Sequence, residues 1–181
     1  ITTTQLNPNA SIITEVETSN LHAQNIGGVL QGRGELAEEW LVIGSHYDHV
    51  GYGYTGTSSP GKLHRGADDN ASGTSANLIV ARLFSKFYAD SSDESMRSVL
   101  FIFFDAEECG LLGSAHFVKE PIMDLATINA MINLDMVGNL SDNNISISGT
   151  GTAIEFETFI PEMVEASSVA ASLTPGGTGP S

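Results

Sequence analysis

Six carboxylates and one imidazole stand where they could act together on a divalent cation. His46 and Asp48 follow Gly44-Ser45, and Asp68 and Asp69 sit within Gly66-Ala67-Asp68-Asp69-Asn70-Ala71-Ser72-Gly73. Glu107 and Glu108 follow Phe104-Asp105-Ala106, and Asp135 follows Asn133-Leu134. Adjacent carboxylates repel unless a cation or a donor compensates them. Carboxylates with a histidine and no thiolate cluster suit zinc, with manganese or cobalt as substitutes. Asp48, two residues beyond His46, is spaced to accept a hydrogen bond from the imidazole's second nitrogen and fix its tautomer. Glu107 and Glu108 point different ways on an extended or turning backbone. One could bind a metal while its neighbour reaches a metal-activated water, and paired metals both activate water and polarise a carbonyl.

Each of these residues also has a plainer reading. One of the short polar residues before Gly73 caps a helix. A lone histidine after a strand is most often structural, an Asp-Glu-Glu stretch is usually a solvated edge, and Asp135 could bond loop amides. What favours chemistry is shared placement. Leu41–Ile43, Val99–Phe104 and Ile128–Leu134 read as strands, and each runs directly into one of these acidic or imidazole clusters. In an open α/β sheet the carboxyl ends of parallel strands line the crevice where ligands bind.

The elements that must hold this arrangement alternate in type. Val99–Phe104 is apolar on both faces and suits a central strand covered by helices. A helix is predicted from Ser72 to Tyr88, with Ala76, Ile79, Val80, Leu83, Phe84 and Phe87 on one stripe. A second helix is predicted from near Gly110 to before Pro121. A third, carrying Phe156, Phe159, Ile160, Met163 and Val164, either begins near Pro161 or kinks there. Ile145–Ile147 reads as a further strand, and Ile12–Thr18 and Asn25–Leu30 as strands of a hairpin or meander. Gly51–Gly66 is a long polar loop. The expected class is α/β, a three-layer sandwich with a mixed, mostly parallel central sheet.

Composition narrows the partners. Seven basic against 22 acidic side chains give a net charge of −15, which disfavours nucleic acid and anionic membranes. It could attract a cationic group such as a peptide amine, although solubility is the plainer role. No apolar run approaches the roughly 18 residues of a membrane span. The single Cys109 excludes an intrachain disulfide and a multi-cysteine zinc site. The start at Ile1, without a basic-then-apolar leader, reads as a processed or excised piece.

Taken in order, Gly44-Ser45-His46-Tyr47-Asp48, Gly66 to Gly73, Phe104 to Glu108 with Gly110-Leu111-Leu112-Gly113-Ser114, and Asn133 to Gly138 resemble the motifs of the co-catalytic dizinc aminopeptidases, metallopeptidase family twenty-eight. The resemblance runs from about Asn25 to Gly151. It implies a zinc exopeptidase fold and an aminopeptidase using two zinc ions on a peptide with a free N-terminus. It also implies secretion or a periplasmic location. By resemblance Asp68 bridges both zincs, His46 and Asp135 complete one site and Glu108 binds the other. Glu107 is the implied general base and acid, Asp48 orients His46, and a cis peptide joins Asp68 to Asp69.

The family pattern adds a histidine near its C-terminus on the second metal. The sequence ends at Gly176-Gly177-Thr178-Gly179-Pro180-Ser181 without it, so the expectation is one catalytic domain over 1–181, incomplete at its end and without its last strand and helix. Residues 1–24 are an N-terminal strand region and 172–181 a Gly-rich tail. The Glu108 site is expected to be deficient, with exposed apolar surface and self-association or a complementing C-terminal segment. His22, His49, His64 and His116 are substitutes by chemistry alone, and none matches the missing motif. Two rival readings stand beside the aminopeptidase. One is a glutaminyl-cyclase-like acyltransferase, whose relatives use one zinc; the other is a non-catalytic metal-binding or interaction fragment. Cys109 reads as a packed small side chain, Trp40 as core or edge packing, and Tyr47, Tyr52 and Tyr54 as cleft lining or core cover.

Overall fold

A strand with no polar position in its middle has to be covered on both faces. In the computed structural model, which describes residues 20, 22–53, 59–140 and 142–176, Ser98–Phe104 (β3) is such a strand. It pairs antiparallel with Ile26–Leu30 (β1) and parallel with Trp40–His46 (β2), which pairs parallel with Ile128–Asn133 (β4). The order is β1-β3-β2-β4, a mixed and mostly parallel sheet.

Alternate residues of β2 and β3 feed two cores, because side chains alternate faces along a strand. Val42, Leu100, Ile102 and Phe104 pack with Phe117 of helix Leu112–Lys119 (α2). Ile43, Val99 and Phe101 face the other way, toward Val80, Ala81, Phe84 and Tyr88 of helix Ala71–Asp90 (α1). Trp40 is half-buried against the first core, as expected. The result is three layers: helix, sheet, helix.

Helix α1 is rotated from the expected stripe. Val80 and Phe84 pack inward, but Ile79, Leu83 and Phe87 are exposed. The cause is Asn77, wholly buried, whose amide donates to Ile43 O, Ser45 Oγ and Ile102 O. Those three acceptors fix which side of the helix faces the sheet. Leu78 on α1 and Met131 and Ile132 on β4 are exposed as well.

Asn144–Ser148 (β5), helix Phe156–Ala166 (α3) and Ala170–Thr174 (β6) form a second unit, a parallel two-stranded sheet with its crossover helix. The helix starts before Pro161 and runs through it. Residues 172–174 belong to β6 rather than to a tail. The strand expected at Ile12–Thr18 lies outside the described residues. Among the described residues, no helix is long and apolar enough to cross a membrane.

Candidate metal centre

Strand β2 lies between β3 and β4, so their C-terminal ends meet on one rim. The registers His46↔Phe104 and Gly44↔Asn133 place His46 level with the turns that follow the other two strands. Those turns carry Glu107 and Glu108 from β3 and Asp135 from β4. The turn entering α1 is drawn to the same rim by Asn70, which is buried. Its side chain accepts from Gly73 N and Met136 N and donates to Leu134 O. Gly73 has no room for a side chain, since a Cβ there would sit 2.2 Å from Leu134 O. Thr74 completes the joint by donating its hydroxyl to His46 O.

His46 is 2% exposed. Its Nδ1 lies 3.1 Å from the main-chain oxygen of Asp48. A carbonyl only accepts, so Nδ1 carries the proton and Nε2 of the neutral ring is a bare lone pair. That lone pair faces Asp69 Oδ1 at 3.2 Å, Asp135 Oδ1 at 3.5 Å and Glu107 Oε2 at 3.9 Å. Four acceptors aimed at one point require a proton or a cation between them. A few residues away, His49 Nδ1 lies 2.6 Å from Glu108 Oε1 and 3.9 Å from Asp69 Oδ2. Two donor sets follow, His46–Asp69–Asp135 and His49–Asp69–Glu108, each with its ligand atoms within 4.8 Å of one another. Asp69 belongs to both, presenting Oδ1 to one imidazole and Oδ2 to the other.

The electrostatics agree with the crowding. Burial opposes charge on His46, but Glu107, Asp135, Asp48 and Asp69 outweigh it and hold its pKa above the ordinary histidine value. Burial raises Glu107, where the charges of Glu108, Asp135 and Asp48 add to it against the pull of His46. Burial likewise raises Asp135, with Asp69 and Asp68 adding to it while His46 opposes. Asp135 Oδ1, Glu108 Oε1 and His49 Nδ1 are buried without a hydrogen-bond partner. Such orphans are rare in a folded protein. A zinc ion, which takes carboxylate oxygen and imidazole nitrogen, fits both sets.

Of the residues expected at the site, His46, Asp48, Glu107, Glu108 and Asp135 meet at this rim. Asp68 does not join either donor set. Its carboxylate accepts from Gly138 N at 2.8 Å and its main-chain oxygen from Ser72 Oγ, tying down the turn that carries Asp135. The residue facing both imidazoles is Asp69, and the cis peptide is Asp69–Asn70, one bond beyond the expected one. Asn70 is the residue that accepts from the amide three positions on, which fixes Asp69 as the last residue before the helix cap.

Asp48 also does more than orient an imidazole. Its carboxylate accepts from the amides of Glu107 at 3.0 Å and Glu108 at 3.2 Å, while its Oδ1 stands 3.5 Å from His46 Nδ1. His49 was visible only as a histidine close to the polar loop; no spacing rule singled it out. Cys109 is exposed rather than packed, and His116 is an exposed residue of α2. Tyr47 and Tyr52 are exposed, and Tyr54 lies outside the described residues.

The sequence profile of peptidase family M28 matches residues 25–179. The chain belongs to that family. It is 36% identical over 123 residues to aminopeptidase YwaD of Bacillus subtilis, covering 66% of this chain and 23% of that protein. It is 33% identical over 105 residues to the probable aminopeptidase YDR415C of Saccharomyces cerevisiae, covering 58% and 27% respectively. Among solved structures it resembles BSAP, a zinc aminopeptidase from Bacillus subtilis, with a TM-score of 0.63 and 29% identity over 86% of this chain and 36% of that one. The M28 chain thus spans about a quarter of the curated relatives it matches.

Proposed function

We propose that this M28 chain carries the metal centre of a zinc-dependent aminopeptidase, a hydrolase that removes the N-terminal residue of a peptide. The single observation that carries the reading is Asp69, whose two oxygens face two separate imidazoles, each beside its own further carboxylate. Two donor sets sharing one carboxylate favour a pair of ions over the single ion of an acyltransferase. His46, Asp69 and Asp135 would hold one zinc, and Asp69 and Glu108 would contribute to the other. When bound, zinc supplies a Lewis acid for the scissile carbonyl and lowers the pKa of water.

Glu107 is outside both donor sets, with Oε2 beside His46 Nε2. That leaves its carboxylate to take a proton from water and deliver it to the departing amine. Asp48 positions Glu107 by holding its amide.

The test is release of p-nitroaniline from aminoacyl anilides by zinc-loaded chain. Activity is expected, lost on chelation, and lost in Glu107→Gln with zinc content unchanged. Full activity in Glu107→Gln would refute the role given to Glu107. Cyclisation of an N-terminal glutamine without hydrolysis would replace the peptidase reading with the acyltransferase one.

A further inference from the structure

We propose that Asn25 is a positioning residue for Glu107, the proton carrier of the reading above, and that it acts by closing the loop on which Glu107 stands. The inference rests on that metallohydrolase reading and adds to it a residue outside both donor sets. The Glu107 carboxylate makes no hydrogen bond among the described residues, and its Oε2 lies 3.9 Å from His46 Nε2. A side chain without such partners is aimed by its backbone. Glu108, by contrast, also has His49 Nδ1 at 2.6 Å from its Oε1.

Asn25 holds that backbone from the far side of the loop. The ladder between β1 and β3 runs as far as Ile26↔Phe103. Just past its end, Asn25 stands in for a main-chain partner, since a carboxamide offers the donor and acceptor of a peptide unit. Its Oδ1 accepts from Asp105 N at 3.1 Å, and its Nδ2 donates to Gly113 O at 2.7 Å. One side chain thus ties the first residue of the 105–113 loop to the last. The two ends approach so closely that a Cβ on Gly113 would sit 2.2 Å from Asp105 O and 2.4 Å from Asn25 Oδ1. Between them the chain doubles back, with Ala106 O accepting from Leu112 N and Glu107 O from Gly110 N and Leu111 N. Ala106 and Leu111 have φ of 54° and 62°, left-handed conformations that persist in residues other than glycine only where the surroundings impose them. Asn25 imposes them at the base of the loop, and Asp48 at its tip through the amides of Glu107 and Glu108. Without Asn25 the base can relax at Ala106, and Glu107 is the next residue along.

The experiment measures kcat and KM on an aminoacyl p-nitroanilide for zinc-loaded native chain, Asn25→Ala, Glu107→Gln and the double variant, with zinc content by metal analysis. Asn25→Ala is expected to lower kcat about 10- to 100-fold while KM and zinc content stay the same, the pattern of a misplaced reacting group. In the Glu107→Gln background the same substitution should change the residual rate by less than about twofold, because residues that act as a unit are not additive. A merely structural role would lower both backgrounds by the same factor, and that result would overturn the inference. Native kcat in Asn25→Ala, or a loss accounted for by missing zinc, would overturn it as well. Thermal melts identify a variant that fails to fold. Asn25→Asp, which keeps the acceptor for Asp105 N but not the donor to Gly113 O, then carries the same cycle with the same non-additivity expected. Additive losses in an active enzyme leave the metallohydrolase reading standing. A native chain without hydrolytic activity would remove that reading, and this inference with it.

Discussion

The two donor sets are built differently. His46 ends strand β2 and Asp135 lies two residues beyond β4, which pairs with β2 as far as Gly44↔Asn133, so the sheet brings both to one level. The His46 ring is buried and its Nδ1 is committed to a carbonyl. His49 and Glu108 come from turns, and they are placed by loop contacts: Gly66 behind the imidazole, Asp48 beneath the glutamate amide. Strand-borne groups inherit their position from the core, whereas loop-borne groups depend on a few local bonds. Perturbing the loops should therefore impair one half of the centre and spare the other.

Asp69 is the place where the two halves cannot be separated, and it should show the largest effect. Asp69→Ala is expected to weaken zinc at both sites together and to lower anilide hydrolysis by more than about 100-fold, beyond what loss of a supporting group costs. Asp68→Ala removes only the bond to Gly138 N. It should cost at most about 10-fold, through looser placement of Asp135. Equal losses in the two variants, measured by metal analysis and initial rates, would contradict the division of labour between these neighbours.

Asp48→Ala sharpens the contrast next. Without its carboxylate the amides of Glu107 and Glu108 lose their acceptor. Activity should fall about 10- to 100-fold, with affinity at the Glu108 site weakened more than at the His46 site. The main-chain oxygen that orients His46 survives the substitution. A uniform loss at both sites would mean that Asp48 acts through the imidazole instead.

How much of this was legible in the sequence follows the same division. β3 reads as a central strand because every position from Val99 to Phe104 is apolar, and the delivery of His46, Glu107, Glu108 and Asp135 to one rim follows from strand order. The face of α1 was not legible from periodicity, because its decisive residue is polar. Asn77 sits at the core on the strength of three acceptors that only tertiary structure supplies. The choice between Asp68 and Asp69 was equally hidden. Neighbours in a turn point in directions set by one backbone conformation, and a string of acidic letters carries no record of it. His49 depends on Gly66 approaching from 17 positions later, a contact that spacing does not encode.

Asn77 gives the next prediction, since it anchors α1 under the strand-borne half. Asn77→Ala leaves buried carbonyls and Ser45 Oγ short of a donor and should cost about 1–3 kcal/mol. Thermal unfolding checks this. If the strand-borne half draws its precision from the core, zinc affinity at His46 should weaken along with the melting temperature. A destabilised variant with native affinity at that site would break the link.

The smallest effect belongs to the rim beside His46, where Tyr47 donates its hydroxyl to Asp105 Oδ2 and Gln24 O, and Gln24 N donates to the same carboxylate oxygen. Burial would raise Asp105, but these donors and Ala106 N more than offset it and hold its pKa below the ordinary carboxylate value. A lowered folded-state pKa adds stability that is present above the ordinary carboxylate range and is lost as pH falls through the lowered value. Tyr47→Phe removes one donor, so the folded pKa moves back toward the unfolded one and the acid limb of the stability curve becomes shallower. Near neutral pH the cost should be about 0.5 kcal/mol, the low end for one hydrogen bond, because the hydroxyl competes with water. Denaturant melts of both proteins across the acid range measure the two slopes. Because these bonds join the N-terminal segment to the ends of β2 and β3 without touching either donor set, zinc stoichiometry should stay the same while the slope changes. A lost zinc equivalent would show that the strand-borne half also leans on its loops.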